Sequence, residues 1–193
     1  MKKKINELKN WDNKTWLSSS TYIDSFNTFL LKKKKLNKNS QILDIGCGRG
    51  KIFGVLSRKF KLIIKPIGID PVVHKNVDRG IDFKNEDVFK FFKTNQIKFD
   101  LIMIKQTLHF FNKNKRVRLI KICKILKGNK IDKFTFKVLV TKSKYIQMLK
   151  QRYISCLVNL NKDQISKGIK EIKDIYPNKI IFDDVLICVK YKN

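Results

Sequence analysis

The stretch "ILDIGCGRGK", residues 42–51, places Gly46, Gly48 and Gly50 at alternate positions directly behind the apolar run that begins at Ile42. Glycine is scarce elsewhere, with 8 in 193 residues. A short apolar run without alternation reads as a strand buried on both faces, the kind that builds parallel sheets. Glycines at its end free the backbone for left-handed conformations and for close approach by another group. Three of them exceed what a tight strand-to-helix turn needs, so the loop predicts a ligand beside residues 46–50.

Working outward, "SSSTYIDSFNTFLL" puts Ile23, Phe26, Phe29 and Leu30 on one helical face, with Ser20 or Thr21 as a cap and Asp24 in the first turn. The polar linker "KKKKLNKNS" follows. Beyond the glycines, "RGKIFGVLSRKF" has helical spacing, "KPIGID" reads as a second strand, "KNEDVF" as a third and "FDLIMIKQ" as the strongest strand of all. In "NKNKRVRLIKICKILKGN" an apolar stripe of Val117, Leu119, Ile120, Cys123 and Leu126 stops at Gly128, a helix-end signal. "KFTFKVLV" is a fifth strand. Strands alternating with helices predict an α/β fold: a Rossmann-like, doubly wound, mostly parallel sheet with helices on both faces. The tail "NKIIFDDVLICVKYKN" reads as two strand-like runs about an Asp183-Asp184 turn, an antiparallel C-terminal hairpin strand at one sheet edge.

Composition bounds the function. A chain of 193 residues fits one domain and buries roughly 70% of its unfolded surface. No apolar run approaches the ~20 residues needed to cross a bilayer. The start "MKKKINELKN" lacks the apolar region of a secretory signal, so a cytoplasmic protein is expected. Cys47, Cys123, Cys156 and Cys188 are far apart with no CxxC spacing, which predicts neither a metal site nor a disulfide framework. The net charge of +28 is the usual footprint of a nucleic-acid binder. It has a second source here: Lys and Arg total 44 but only 6 are Arg, and alanine is absent, as an AT-rich genome would produce. Lysine also lacks the bidentate fork of arginine. Compositional bias with solvated faces is the favoured cause.

The loop itself discriminates among ligands. A triphosphate-binding loop needs a hydroxyl after its Gly-Lys pair, and Ile52 stands there. The dinucleotide fingerprint needs a third glycine where Lys51 lies, which weakens a nicotinamide dinucleotide and leaves only relaxed variants of that motif. What remains is D-x-G-x-G-x-G, starting at Asp44. The segment resembles the first motif of class I S-adenosylmethionine-dependent methyltransferases, and over residues 36–140 the chain is similar to the small-molecule branch of that family. The resemblance implies that the amino-acid end of the cofactor meets Gly46, Cys47, Gly48 and Gly50, and reaches Asp44 through water. It makes Asp70 of "IGIDP", with Pro71 beside it, the acceptor for both ribose hydroxyls; the offset from Gly46 matches the ~20 residues expected in a βαβ unit. Asp87 of "NEDVF", or Glu86 in its place, would meet the adenine amino group with Val88 flanking the ring. Lys105 and Gln106 would lie beside the cofactor at the end of the fourth strand, and Leu108-His109 falls where the fourth motif ends in Leu-His.

His109 reads two ways, as a general base near the methyl acceptor or as a packed histidine at a strand end. Cys47 reads as a small residue in a tight place and His74 as a surface residue. Trp11, Trp16 and Tyr22 either close over the ligands or cover the sheet edge. On this view residues 1–193 form a single methyltransferase domain: an N-terminal helical cap segment (1–35), a cofactor-binding core (36–140), and a C-terminal helix and strand hairpin (141–193) resembling tails of the small-molecule branch. The implied reaction is direct displacement at the methyl carbon of S-adenosyl-L-methionine by a small-molecule acceptor. An RNA or other macromolecular acceptor is the second reading, motivated by the charge. Against it, "IKQTLHF" contains neither [DN]-P-P-[YF] nor a Pro-Cys nucleophile. A nicotinamide-nucleotide-binding protein is the third.

Overall fold

The computed structural model describes residues 15–33, 35–123, 130–152, 157 and 160–190. In chain order the elements are a 3-10 turn Trp16–Ser18, α1 (Ser20–Lys33), β1 (Ile42–Ile45), α2 (Lys51–Phe60), β2 (Ile67–Ile69), β3 (Asp82–Lys84), α3 (Val88–Thr94), β4 (Leu101–Met103), a 3-10 turn Leu108–Phe110, α4 (Lys113–Ile122), β5 (Lys130–Thr141), α5 (Lys142–Lys150), α6 (Lys162–Ile175) and β6 (Lys179–Lys190). They fall into two compact units, one drawn from Met1–Tyr22 and Phe134–Leu186, the other from Ile23–Lys133 and Ile187–Asn193.

The second unit carries a four-stranded sheet in the order β3-β2-β1-β4. All three pairings are parallel: Leu43 lies opposite Ile67, Asp44 opposite Met103, and Gly68 opposite Phe83. The chain therefore starts near the middle of the sheet and reverses direction between β1 and β4, the topology of a doubly wound Rossmann-like fold with flanking helices. Every residue of β1 is buried, as its unalternating apolar run predicts. On one face Leu43, Ile45, Ile67 and Ile69 pack with Val88, Phe89 and Phe91 of α3 and Leu119 of α4. In α2, Phe53 and Leu56 are fully buried, each contributing about 1.5–3 kcal/mol through removal from water.

Several local expectations change. The cap of α1 is Ser19, whose Oγ accepts the Tyr22 amide at 3.2 Å, and not Ser20 or Thr21. The third strand is Asp82–Lys84, three residues with little burial, and "KNEDVF" is the turn into α3. Asp87 caps that helix instead of ending a strand, its side chain accepting the Phe89 amide at 2.8 Å. In α4 the apolar stripe is narrower than its spacing implies: Leu119 is fully buried, but Val117 is 46% exposed. Leu126 and Gly128 lie outside the described residues, as do Trp11 and Cys156.

In the first unit β5 and β6 form an antiparallel pair. The Asp183-Asp184 turn does not exist; β6 runs straight through both residues, so the hairpin partner of this strand is β5 and not its own second half. Burial alternates along both strands, with Phe134, Phe136 and Val138 facing inward from β5 and Ile180, Phe182 and Asp184 from β6. Asp184 tolerates that inward position because Trp16 Nε1 donates to its Oδ2 at 2.9 Å. The Trp16 ring stands edge-on to Phe182, with centroids 5.1 Å apart, and the buried Tyr22 ring stands edge-on to Phe134 and Phe136 at 5.8 and 5.0 Å. Trp16 and Tyr22 are thus cover for the strand pair. Asn161 and Gln164 close a capping box at the start of α6, and Lys142 Nζ caps its other end, donating to the carbonyls of Lys173 and Tyr176 at 3.0 and 2.7 Å. No helix among the described residues is long and apolar enough to cross a membrane.

Candidate functional site

A parallel sheet delivers the carboxyl ends of all its strands to one edge, and in open α/β sheets ligands bind outside that edge. Here the edge collects the loop after β1, Asp70 after β2, residues 85–87 after β3 and residues 104–107 after β4.

All three loop glycines have positive φ: 74° at Gly46, 56° at Gly48 and 68° at Gly50. The amides of Gly46 and Cys47 both donate to Ile69 O, at 2.8 and 3.2 Å, which folds the loop over the end of β2. The space left by two missing side chains is occupied by protein. A Cβ at Gly46 would fall onto the Thr107 side chain, and one at Gly50 onto Ile81 Cδ1. These two glycines answer to backbone geometry and to packing by the β4 and β3 approaches. Gly48 differs, because its amide turns toward a carboxylate: Asp70 Oδ2 accepts it at 3.0 Å.

Asp70 is held on every side. Its Oδ1 accepts the Val72 amide at 2.8 Å, its own amide donates to Lys84 O at 3.2 Å, and Asn85 Nδ2 donates to its carbonyl at 2.9 Å. Each carboxylate oxygen keeps a second lone pair, so the group can still receive two hydroxyl donors. Asp44 is the other acid of the site. It is 4% exposed, and no hydrogen bond from a described residue reaches its carboxylate. Burial pushes its pKa up to about 7, with the Lys105 ammonium opposing the rise and the Asp70 charge adding to it. A buried carboxylate short of donors fits the amino-acid end of a cofactor whose ammonium can approach it, directly or through water. The Cys47 thiol is pushed well above its ordinary value, first by burial and then by Asp44 and Asp70, which keeps it protonated and a poor nucleophile.

The remaining predicted residues are placed less closely. Pro71 is exposed beside Asp70, and Lys105 and Gln106 are half-buried after β4, Gln106 in a left-handed conformation with φ 52°. Lys105 Nζ lies 3.4 Å from Gln106 Oε1. Val88 is buried in the apolar core, and the Asp87 carboxylate is engaged as a helix cap. His109 sits in the 3-10 turn Leu108–Phe110, and its side chain lies outside the described residues. Among the described residues no group of His, Cys, Asp and Glu could hold a metal ion.

Sequence reasoning missed four participants. Thr107 and Ile81 fill the glycine gaps, and nothing in their neighbourhood signals it. Asp78 accepts from both terminal guanidinium nitrogens of Arg58, and against the opposing effect of burial Arg58 holds its carboxyl below the usual carboxylate range. That pair pins the segment between β2 and β3 to α2; the turn-forming "DRG" at 78–80 is its only trace. His74 is no surface residue: its imidazole is 15% exposed, with Nε2 at 3.3 Å from Asp70 Oδ2.

The model of the family described as "Methionine biosynthesis protein MetW" matches residues 27–131, more than half of the chain and all of the parallel sheet with its loops. No curated protein matches. Among solved structures, the chain is similar to one in "Structure of the Pnkp1/Rnl/Hen1 RNA repair complex", at 14% identity and a TM-score of 0.41, covering 89% of this chain and 42% of that one. The chain thus spans less than half the length of that solved relative.

Proposed function

This chain belongs to the MetW family, and on that premise we propose that it binds S-adenosyl-L-methionine and transfers the methyl group by direct displacement to a small-molecule acceptor. Family membership and the Rossmann-like fold support methyltransferase-like chemistry; the cofactor and acceptor are our reading. The observation that carries it is the pairing of two acids across the glycine loop. Asp44 is buried with no hydrogen-bond donor from a described residue on its carboxylate, and Asp70 is fixed by the Gly48 amide.

The bound cofactor supplies a methyl carbon already activated as a sulfonium. The chain's own work is placement. Asp44 and the loop backbone bind the amino-acid end, and Asp70, rigid on two amides, accepts the ribose hydroxyls. The Lys105 ammonium at the end of β4 tempers the charge of Asp44. Holding nucleophile, carbon and leaving sulfur in line can supply ~7–11 kcal/mol without a strong catalytic group. A base is required only for an acceptor that must lose a proton, and His109 is the residue in position along the chain to serve it.

Calorimetric titration with S-adenosylmethionine, S-adenosylhomocysteine and NAD tests the assignment. Binding of the first two with no response to NAD is expected. NAD binding with silence toward both sulfur compounds would overturn it.

One observation favours a second reading, an RNA acceptor. Phe110 is 57% exposed and Val117 is also open on α4, whose Lys113, Lys115 and Arg118 face solvent just beyond β4. Exposed aromatic and basic groups together suit single-stranded nucleic acid. Methyl incorporation into bulk RNA that falls steeply between low and moderate salt would promote this reading over the first.

A further inference from the structure

His74 has no role in any function described so far, yet its position is specific. The imidazole stands edge-on to Phe83 of β3, with centroids 6.3 Å apart, which sets its plane. Its Nε2 is buried and makes no aligned hydrogen bond. The acidic group in reach is Asp70, with Oδ2 at 3.3 Å, the same oxygen that accepts the Gly48 amide. Imidazole and carboxylate are therefore within ion-pairing distance without being locked together. Leaving a buried imidazole nitrogen without a partner costs free energy, and closure of a fraction of an ångström onto Oδ2 would recover it.

Resting on the cofactor reading above, we propose that His74 is a positioning residue for Asp70, and that its charge state sets how much of that carboxylate is left for the ribose hydroxyls. With the imidazole neutral, Nε2–H shares Oδ2 with the Gly48 amide through a weak contact that a ribose hydroxyl can displace, and the second lone pair of Oδ1 stays available. With the imidazole charged, the contact becomes a charge-assisted hydrogen bond that draws Oδ2 away from a neutral hydroxyl donor. Affinity for the nucleoside is then lower with the imidazole charged than with it neutral. Charged groups lie on the elements that carry the pair. Lys75 adjoins His74 in the chain, and Asp82 and Lys84, which flank Phe83 on β3, pair with each other at 3.0 Å. Across the loop, Asp44 interacts with Asp70.

The test is calorimetric titration of S-adenosylhomocysteine from pH 5.5 to 8.0 into the wild-type chain, His74→Gln and His74→Phe, with folding checked by circular dichroism. Asp44 titrates in all three proteins, so the difference between slopes isolates His74. Wild-type affinity should fall about fivefold more over this range than that of His74→Gln, which keeps a donor and most of the affinity at pH 8.0. His74→Phe should be weaker throughout and equally flat. Identical slopes in the wild type and His74→Gln would overturn the inference while leaving the cofactor reading standing. A folded wild-type chain that binds no S-adenosylhomocysteine at any pH would overturn both.

Discussion

The Gly48 amide donates to Asp70 Oδ2 at 3.0 Å, joining the β1 loop to the end of β2 across 22 residues of chain. Asp70 therefore supports the loop. Removing the carboxylate in Asp70→Ala leaves the Gly48 and Val72 amides without their acceptor, which should cost about 1–3 kcal/mol of stability. S-adenosylhomocysteine affinity should fall at least ~10-fold, since a further 1.4 kcal/mol or more of ligand hydrogen bonding disappears. Thermal melts and calorimetry on one preparation check both numbers, and an unaltered affinity would remove Asp70 from the binding site.

Asp44 predicts a pH dependence of opposite sign to that of a salt-bridged acid. Its pKa rises from 3.8 to about 7 on folding, chiefly through burial, so the folded chain holds this proton more tightly than the unfolded one. The stability cost of charging it is absent below pH ~4, grows as pH rises toward 7 and is complete above, at up to about 4 kcal/mol. Asp44→Asn removes the charge. The variant should melt higher than the wild type at pH 8, with the gap closing near pH 4, while losing cofactor affinity. A gap independent of pH would show that Asp44 is not the titrating group.

At Asp78 the sign reverses. Its carboxyl is held low by Arg58, so its contribution is present above the usual carboxylate range and is lost as pH falls through the lowered value. The pair is largely solvent-exposed on the arginine side, and screening limits it to roughly 0.5 kcal/mol. Arg58→Met should lower the melting temperature slightly at neutral pH and not at all in strong acid, an outcome that melts at the two conditions can separate.

Gly46→Ala meets two penalties at once, a side chain at φ 74° and a Cβ on top of Thr107. Together these should cost about 2–4 kcal/mol. Adding Thr107→Ala to the variant removes Oγ1 and Cγ2, the two atoms nearest the new Cβ, and relieves only the steric part. Urea unfolding of the single and double variants measures the split, and no recovery in the double variant would mean that φ alone is responsible.

Trp16 and Asp184 offer a paired test in the other unit. Trp16→Phe keeps the edge contact with Phe182 and strands an inward-facing carboxylate, for a loss of about 1–3 kcal/mol. Trp16→Phe with Asp184→Leu removes both polar partners and should regain most of that loss. If the double variant is as unstable as the single, the hydrogen bond is not the source of the effect.

The parts of this fold legible in the sequence are those decided locally. β1, β2 and β4 are apolar runs ended by turn residues, and α2 carries its stripe within ten residues, so each could be read from its own composition. β3 could not, because three partly exposed residues carry no period, and the neighbouring "NEDVF" imitates alternation while serving as a helix cap. Asp183-Asp184 resembles a turn until the Trp16 indole is known, and that partner lies 168 residues away. The site divides in the same manner. Asp44, the glycines and Asp70 announce themselves by type and spacing, whereas His74 is defined by a distance between side chains that no spacing encodes. Even the glycines were legible for an incomplete reason: two of the three are required by Thr107 and Ile81.

That last contact constrains anyone who wishes to redesign the protein. Thr107 seats itself in the notch left by Gly46, so the segment that follows β4 is keyed to the glycine loop that follows β1. Loops transplanted from a relative must bring a residue of threonine's bulk at this position or arrive together with their own β1 loop. The loops after β1 and β4 can be exchanged only as a matched set.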